Sequence, residues 1–447
     1  LQAGHDLTST AATLLSTQGD VALLAGHDLT LNTANVGTDY ARGEQVSSSG
    51  LFSSSRTTSR DTRTETNAIG TNLEGKTLSL VAHNDLLLRG SQVISDAGTT
   101  LVAGHDLTLE AAQNTLSESH FFEKKESGLL DSGGMGFMIG SREQGSDQNS
   151  TQTYSTASTV GAINGDVTLL AGADYTQTGS HVLAPGGDIS VLAQNITLQE
   201  ARETYQSETD TWFKQSGLTV SLSSPILSAL QTGSQMVQAA QNTSNTRMQA
   251  LAAASLGLAG YEAYTLIDKA LTSDNPTQAL APTLNISLGS SESESHTTQT
   301  ANTAAGSSLQ AGGDINLIAT GAGKNSNLLI QGSTVQAGNN LTLLADNQIN
   351  LLAAQNTASE HSTNESSSSS VGVSINLATG APSLTLGMSQ GEGHGDGDDL
   401  GWSNTHVSAG NTVTMISGGD MNLIGAVVSG HKIIADVGSL YGGNINI

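Results

Sequence analysis

At 447 residues the chain is long enough for about three globular domains, yet charged residues make up only 12% of it and aromatics 3%, with 51 glycines and 5 prolines. The net charge of −25 sets the chain against nucleic acid, which needs a cationic face, and against attraction to anionic lipid heads by charge alone. The absence of cysteine excludes disulfides, thiolate metal ligands and a cysteine nucleophile, and it suits a chain that crosses an oxidising compartment unfolded.

A repeat opens the chain and returns along it. AGHDLTST comes first, then LLAGHDLTLNTAN around Asp28, LVAGHDLTLEAAQN around Asp106, VLAQNITLQEARE around Asn195 and LLADNQINLLAAQN around Asn347. Each copy sets a turn pair between short runs of alternating apolar residues, so the chain winds one unit repeatedly and is not built around a single cleft. A second landmark recurs in fixed order with the first: EGKTLSLVAHNDLLL, NGDVTLLAGADYTQT, AGGDINLIATGAG and AGNTVTMISGGDMNLIG. Asp28, Asp106, Asn195 and Asn347 are separated by 78, 89 and 152 residues, and Leu78, Val167, Ile315 and Val413 by 89, 148 and 98. Both series give a unit of roughly 80 to 100 residues with an insertion in the third copy.

Inside a unit the period is finer. Asp6 to Asp28 is 22 residues, Asp85 to Asp106 is 21, and Asp166 to Asp188 is 22. VTLLA (Val167, Leu169, Ala171) and ISVLA (Ile189, Val191, Ala193) point alternate apolar residues to one side. Three such strands per coil predict an all-β fold, a right-handed parallel β-helix, with Gly and Asn or Asp at its corners. The linking segments, Thr38 to Asn72, Thr115 to Thr159 and Thr357 to Thr405, are Ser/Thr-rich and carry SGL or VGV strands around Gly- or Ser-rich turns. They are expected to project as β-hairpin arms. The third begins with KQSGLTVSLSS and resumes at PTLNISLGSSESES. Between them the segment 225–281, rich in Ala, Leu, Gln and Met, reads as an α-helical insertion. It is expected either to pack on the flank of the β-helix or to seek a membrane or partner, with Met248, Leu251, Ser255, Leu258 and Tyr261 as the candidate contacts.

Chemistry-bearing patterns are few. His5-Asp6, His27-Asp28 and His105-Asp106 could suggest a dyad or metal ligands, but they recur at one place in the repeat, as corner residues do. GEGHGDGDDLG, with Asp396, Asp398 and Asp399, has the composition of a calcium loop without the terminal Glu of an EF-hand, and is expected to be a solvated loop. Gly133 to Gly140 lacks the Lys-Ser/Thr of a phosphate-binding loop. No HExxH occurs, and the scarcity of aromatics weighs against a sugar-cleaving β-helix. No catalytic residue, cofactor or metal site is therefore expected.

AGHDLTLEAAQNT followed by KKESGLLDSGGMGFMIGSREQ resembles the haemagglutinin repeats of two-partner-secreted exoproteins, the filamentous haemagglutinin superfamily. It is most similar to the second repeat region of contact-dependent growth inhibition effectors, across essentially the whole chain except the insertion. The resemblance implies one β-helical region over 1–447, exported by an outer-membrane two-partner transporter of a Gram-negative bacterium. It places that region at the cell surface, or in the periplasm until delivery. It implies a non-catalytic segment that engages the target-cell outer membrane or a receptor and helps deliver a C-terminal toxin of the same chain. The alternative is the stalk or binding surface of an adhesin without a toxin.

Overall fold

In the computed structural model, residues 1–132, 135–223 and 281–447 are described. The expected all-β parallel coil is found. One coil runs through Thr159–Ala162, Asp166–Ala171 and Asp174–Thr178, and the next through His181–Ala184, Ile189–Ala193 and Asn195–Gln199. The two stack in parallel register, Thr159 on His181, Val167 on Ile189 and Tyr175 on Ile196. Of the three faces, one is a ten-stranded ladder from Leu7–Thr10 to Ile445–Asn446. The other two belong to one 17-stranded sheet, because the long strands Asn72–Ala82 and Gln92–Ala103 turn a corner and serve both.

The α-helical insertion expected at 225–281 is not borne out. Residues 225–280 lie outside the described residues, and among those described no α-helix occurs, only the 3₁₀ turn Gly323–Asn325. At both described margins of the segment the chain is strand, and Ser223 faces Thr283.

The alternation read from the sequence becomes stacks of like side chains inside the coil. Leu29, Leu86, Leu107, Tyr175, Ile196, Leu328, Ile349 and Met421 lie one above another on the ten-stranded face, all buried. Each such side chain contributes roughly 1.5–3 kcal/mol by leaving water. Polar side chains interrupt the aliphatic stacks in places, as Thr99 does between Leu78 and Val167 and as the pair Tyr175 and Gln177 does on the ten-stranded face. The Tyr175 hydroxyl donates to Gln177 Oε1 at 2.9 Å, and Gln177 Nε2 donates to the carbonyls of Ser180 and Ser308. Burial pushes the Tyr175 pKa far up, so the hydroxyl keeps its proton and remains a donor.

Corners are closed by polar ladders that link coil to coil. Asp6 Oδ1 accepts the N–H of Asp28, Asp28 that of Asp85, Asp85 that of Asp106 and Asp106 that of Asp174, each at 3.1–3.2 Å. Asp166, Asp188 and Asp314 do the same at a second corner. A third corner is lined with buried hydroxyls: Thr71, Ser91, Ser158, Ser180, Ser307, Ser333 and Thr405. Ser158 Oγ accepts the N–H of Ser91 and donates to the carbonyl of Glu110 at 2.8 Å, and Ser307 Oγ likewise serves Ser180 and Gln199. These hydroxyls satisfy backbone groups at the corner where chain leaves the coil.

Chain leaves there four times. The hairpins Ala34–Ser49/Ser53–Ile69, Ala112–Asp131/Gly136–Thr156, Ala201–Ser223/Thr283–Ala305 and Ala354–Asn376/Pro382–Ser403 are the expected arms. They do not project singly. Each pairs with the next, so the arms form one eight-stranded antiparallel sheet. The hairpins follow Leu29–Asn32, Leu107–Glu110, Asn195–Gln199 and Ile349–Leu352, which are the second, fourth, sixth and eighth strands of the ten-stranded ladder. A hairpin is two strands wide and two coils are two strands high, about 9.6 Å in both cases. The arm sheet and the β-helix therefore share one axial repeat, and neither strains the other.

Candidate functional site: the outer end of the arm sheet

In the arm sheet, residues facing one another across successive strands form rows that run parallel to the helix axis. Near the outer end three consecutive rows differ sharply in chemistry. The first is serine: Ser54, Ser127, Ser141, Ser216, Ser290 and Ser369. Next comes glycine, at Gly128, Gly140, Gly217, Gly289 and Gly387, with Ser370 between the last two and Ser53 facing Gly128. The third is apolar: Leu129, Ile139, Leu218, Leu288, Val371 and Leu386. The SGL and IGS motifs are these three rows read along single strands.

The glycines are required by close approach. A Cβ on Gly140 would stand 2.0 Å from the Ser216 carbonyl oxygen, and one on Gly217 would stand 2.5 Å from that of Ile139. The apolar row is exposed, from 37% at Leu218 to 75% at Leu386. Two residues further out, hence on the same face, a second row holds Phe137, Val220, Ile286, Val373 and Leu384. Phe137 and Leu384 are among its exposed members. Two adjacent rows spanning five or six strands make a continuous apolar band of the kind that marks an interaction surface.

Inward of the band lies a shallow groove floored by the serine row and edged by Lys125, Lys214, Arg142, Glu143 and Glu292. Its lysines are engaged. Lys125 Nζ lies 3.0 Å from Glu123 and 3.5 Å from Glu143, and Lys214 Nζ lies 2.6 Å from Glu294. The Glu123 hydrogen bond above all raises the pKa of Lys125, and that of Glu294 raises Lys214. Further in, His296 Nδ1 lies 2.7 Å from Asp210 on the paired strand, with Glu208 at 3.8 Å. The Asp210 hydrogen bond raises the His296 pKa against a smaller desolvation effect. A raised folded-state pKa gives stability that is complete below the unfolded value of 6.5 and is lost as pH rises through the folded one. Asp210→Asn is expected to lower the His296 pKa in an NMR titration and to flatten the dependence of arm stability on pH around neutrality. An unmoved titration would contradict the assignment.

The His-Asp pairs sit at a coil corner, as their recurrence suggested. His5 and His27 stack with ring centroids 4.8 Å apart beside Asp6, and His105 lies between Asp85 and Asp106. Hydrogen bonding from the Asn84 amide, foremost, with the N–H of Asp85 and His27 assisting, holds the Asp28 carboxyl below its ordinary pKa. Donor atoms of His5, Asp6 and His27, of Asp85, His105 and Asp106, and of Glu208, Asp210 and His296 come close enough to share an ion. In each group, however, hydrogen bonds within the protein already engage a carboxylate. The acidic segment with Asp396, Asp398 and Asp399 is a correction: it is part of strand Pro382–Ser403 and not a loop. Strand alternation puts Asp396 and Asp398 on one face and Asp399 on the other, so the three carboxylates do not converge. Of Gly133 to Gly140, residues 136–140 are strand, and Gly133 and Gly134 lie outside the described residues. Met248, Leu251, Ser255, Leu258 and Tyr261 also lie outside them. The apolar band escaped sequence reasoning, although GLTVSL, LNISL, VGVSI and SLTLG displayed its alternation. No helix among the described residues is long and apolar enough to cross a membrane.

The hemagglutinin repeat family model matches residues 52–217 and 287–447. Among characterised relatives, the chain is 34% identical over 439 residues to a tRNA nuclease CdiA of Escherichia coli (strain STEC_O31), covering 96% of this chain and 13% of that protein. It is 35% identical over 446 residues to a deoxyribonuclease CdiA of Dickeya dadantii (strain 3937), covering 98% and 13%. With a 16S rRNA endonuclease CdiA of Enterobacter cloacae it shares 36% identity over 424 residues, covering 93% and 13%. The chain thus spans about an eighth of the length of these relatives. No solved structure matches it.

Proposed function

Since the chain belongs to the hemagglutinin repeat family, we propose that it is a non-catalytic β-helical segment of a secreted two-partner exoprotein. In this reading it engages the target-cell outer membrane and helps deliver a C-terminal toxin in contact-dependent growth inhibition. Three relatives whose names carry three different nuclease activities match this segment at 34–36% identity over 93–98% of its length. A region shared so evenly among different chemistries serves what they have in common, the route of delivery. The same names favour delivery over an adhesin without a toxin. Export would be through the outer membrane of a Gram-negative cell by a dedicated transporter.

The observation that carries membrane engagement is the apolar band at the outer end of the arm sheet. Its free energy of burial must exceed the repulsion between a chain of net charge −25 and an anionic outer leaflet. Salt should therefore strengthen binding by screening, the reverse of a basic surface. Leu288→Asp with Val371→Asp is expected to reduce co-flotation with vesicles of phospholipid and lipopolysaccharide by on the order of 100-fold, from roughly 1.5 kcal/mol or more per side chain. Leu192→Asp, at an exposed apolar position on a coil, serves as control. Within a full-length effector the pair should abolish delivery without reducing surface display. Unchanged flotation would overturn the membrane reading. Deleting 225–281 asks the same of the candidate contacts in that segment: loss of delivery with normal secretion is expected.

A further inference from the structure

We propose that the face of the arm sheet carrying the apolar band docks a second copy of this chain, face to face, about a two-fold axis that runs along the arm strands. The inference rests on the reading of that band as a contact surface: the second copy covers in water what the target membrane covers on arrival. Leu129, Ile139, Leu288 and Val371 are 46–58% exposed, so the band stands open to such a partner. Nearer the coil the same face is the exposed one, at Gln113, Thr115, Arg202 and Thr204, while Ala112, Asn114 and Ser207 on the opposite face are buried. The band therefore looks away from the coil stack and is free to meet another sheet.

Two directions of the axis could bring this face onto itself. An axis parallel to the β-helix would set the apolar outer end against the polar base of the partner. An axis along the strands keeps every row against the same row of the partner, read in reverse order, and joins apolar to apolar. The charges two residues inside the serine row are patterned for that reversal. On six consecutive strands stand Arg56, Lys125, Glu143, Lys214, Glu292 and Ser367. Reversal about the midpoint between Glu143 and Lys214 sets Glu143 against the partner's Lys214 and Lys125 against the partner's Glu292, each contact occurring twice. Arg56 then meets the partner's Ser367, with Glu365 two residues further in. Glu123 and Glu294 would also meet, but Lys125 at 3.0 Å and Lys214 at 2.6 Å already neutralise them within each chain.

Sliding the partner by one strand sets Glu143 against Glu292 or Lys125 against Lys214, like against like, so the same row also fixes the register. In the favoured register Leu218 lies over the partner's Ile139 and Leu288 over its Leu129, and the side chains of the two sheets interdigitate as in a sandwich. The contact runs from the charge row to the last apolar row, Leu222, Leu284 and Ile375. That is roughly 27 Å along the strands by 24–29 Å across five or six of them, about 650–800 Å², which approaches one side of a standard protein–protein interface.

Charge reversal in two separate chains tests the axis. The parent chain is expected to sediment as a dimer at micromolar concentration in low-salt buffer without lipid. Lys125→Glu alone, or Glu292→Lys alone, places like charges together at both copies of the contact and should weaken the dimer by on the order of 100-fold or more. An equimolar mixture of the two variants makes both contacts attractive again, and should form a one-to-one dimer within about tenfold of the parent affinity. Recovery in the mixture also shows that neither variant had failed to fold. A monomeric parent, or a mixture no more associated than its components, would overturn the proposal. The absence of lipid keeps the two readings apart: a monomeric parent that still floats with vesicles strikes out the dimer alone. A dimer that does not float leaves the self-docking face in place and removes membrane engagement.

Discussion

Removal of residues 159–180, one whole coil, is expected to leave the β-helix able to stack and to tear the arm sheet. The cut joins Ser158 to His181, the residue that lies on Thr159 in the next coil, so every internal stack can re-form one level down. The arms cannot follow. The hairpins starting at Ala112 and Ala201 would be one coil apart, while each still needs the width of two strands. Pairing between Gly136–Thr156 and Ala201–Ser223, which now covers 18 residue pairs, would be lost or sheared. At about 0.5 kcal/mol per pair the loss is on the order of 9 kcal/mol, to be read as a fall in Tm and as rapid proteolysis within the arms. Removing residues 159–307 takes away far more chain but two whole coils together with one hairpin. It joins Ser158 to Ser308, brings Thr153 opposite Thr357, and should unfold near the parent temperature. Protected arms in the single-coil deletion would show that the shared axial repeat is not what holds the sheet.

Gly140→Val should have the second largest effect, confined to the arms. The new Cβ would stand 2.0 Å from the Ser216 carbonyl oxygen and 2.6 Å from the Gly217 Cα, both backbone, so no rotamer change relieves the clash. The strands must separate, at roughly 3 kcal/mol or more, with loss of arm protection while the coil stacks persist. Gly387→Ala is the contrasting substitution. Its Cβ would meet only the Ser370 hydroxyl at 2.7 Å, the end of a side chain that can rotate away. Gly387→Ala should leave Tm within about 2 °C of the parent, a fraction of a kcal/mol spread over a long chain. Equal stability of the two variants would remove close approach as the reason for the glycine row.

The coil was legible because its signal is local and repeated. A spacing of 21 or 22 residues between corner aspartates, with apolar residues alternating between them, specifies a rung and its neighbour together. The hairpins were legible for the same reason, each being two strands around a turn. Their union into one sheet was not. Thr153 and Thr204 pair although a full coil pair lies between them in sequence, and rows of Ser, Thr and Asn carry little preference for one partner over another. Outward orientation of Leu218 and Leu288 was also hidden, since alternation states that one face is apolar and not which way that face looks. The buried hydroxyls were spelled out in GSQV, GSHV, GSSL and GSTV, but Ser in a polar chain reads as surface until a structure shows Ser91 and Ser180 fully enclosed.

The coincidence of hairpin width with coil height also governs how such a gene can grow or shrink. Unequal recombination that gained or lost a hairpin alone, or a single rung, would yield a protein with a seam running the length of its flank. Only exchanges that move two rungs and one hairpin as a block leave a product that folds like its parent, so descendants of this sequence should differ in length by whole blocks.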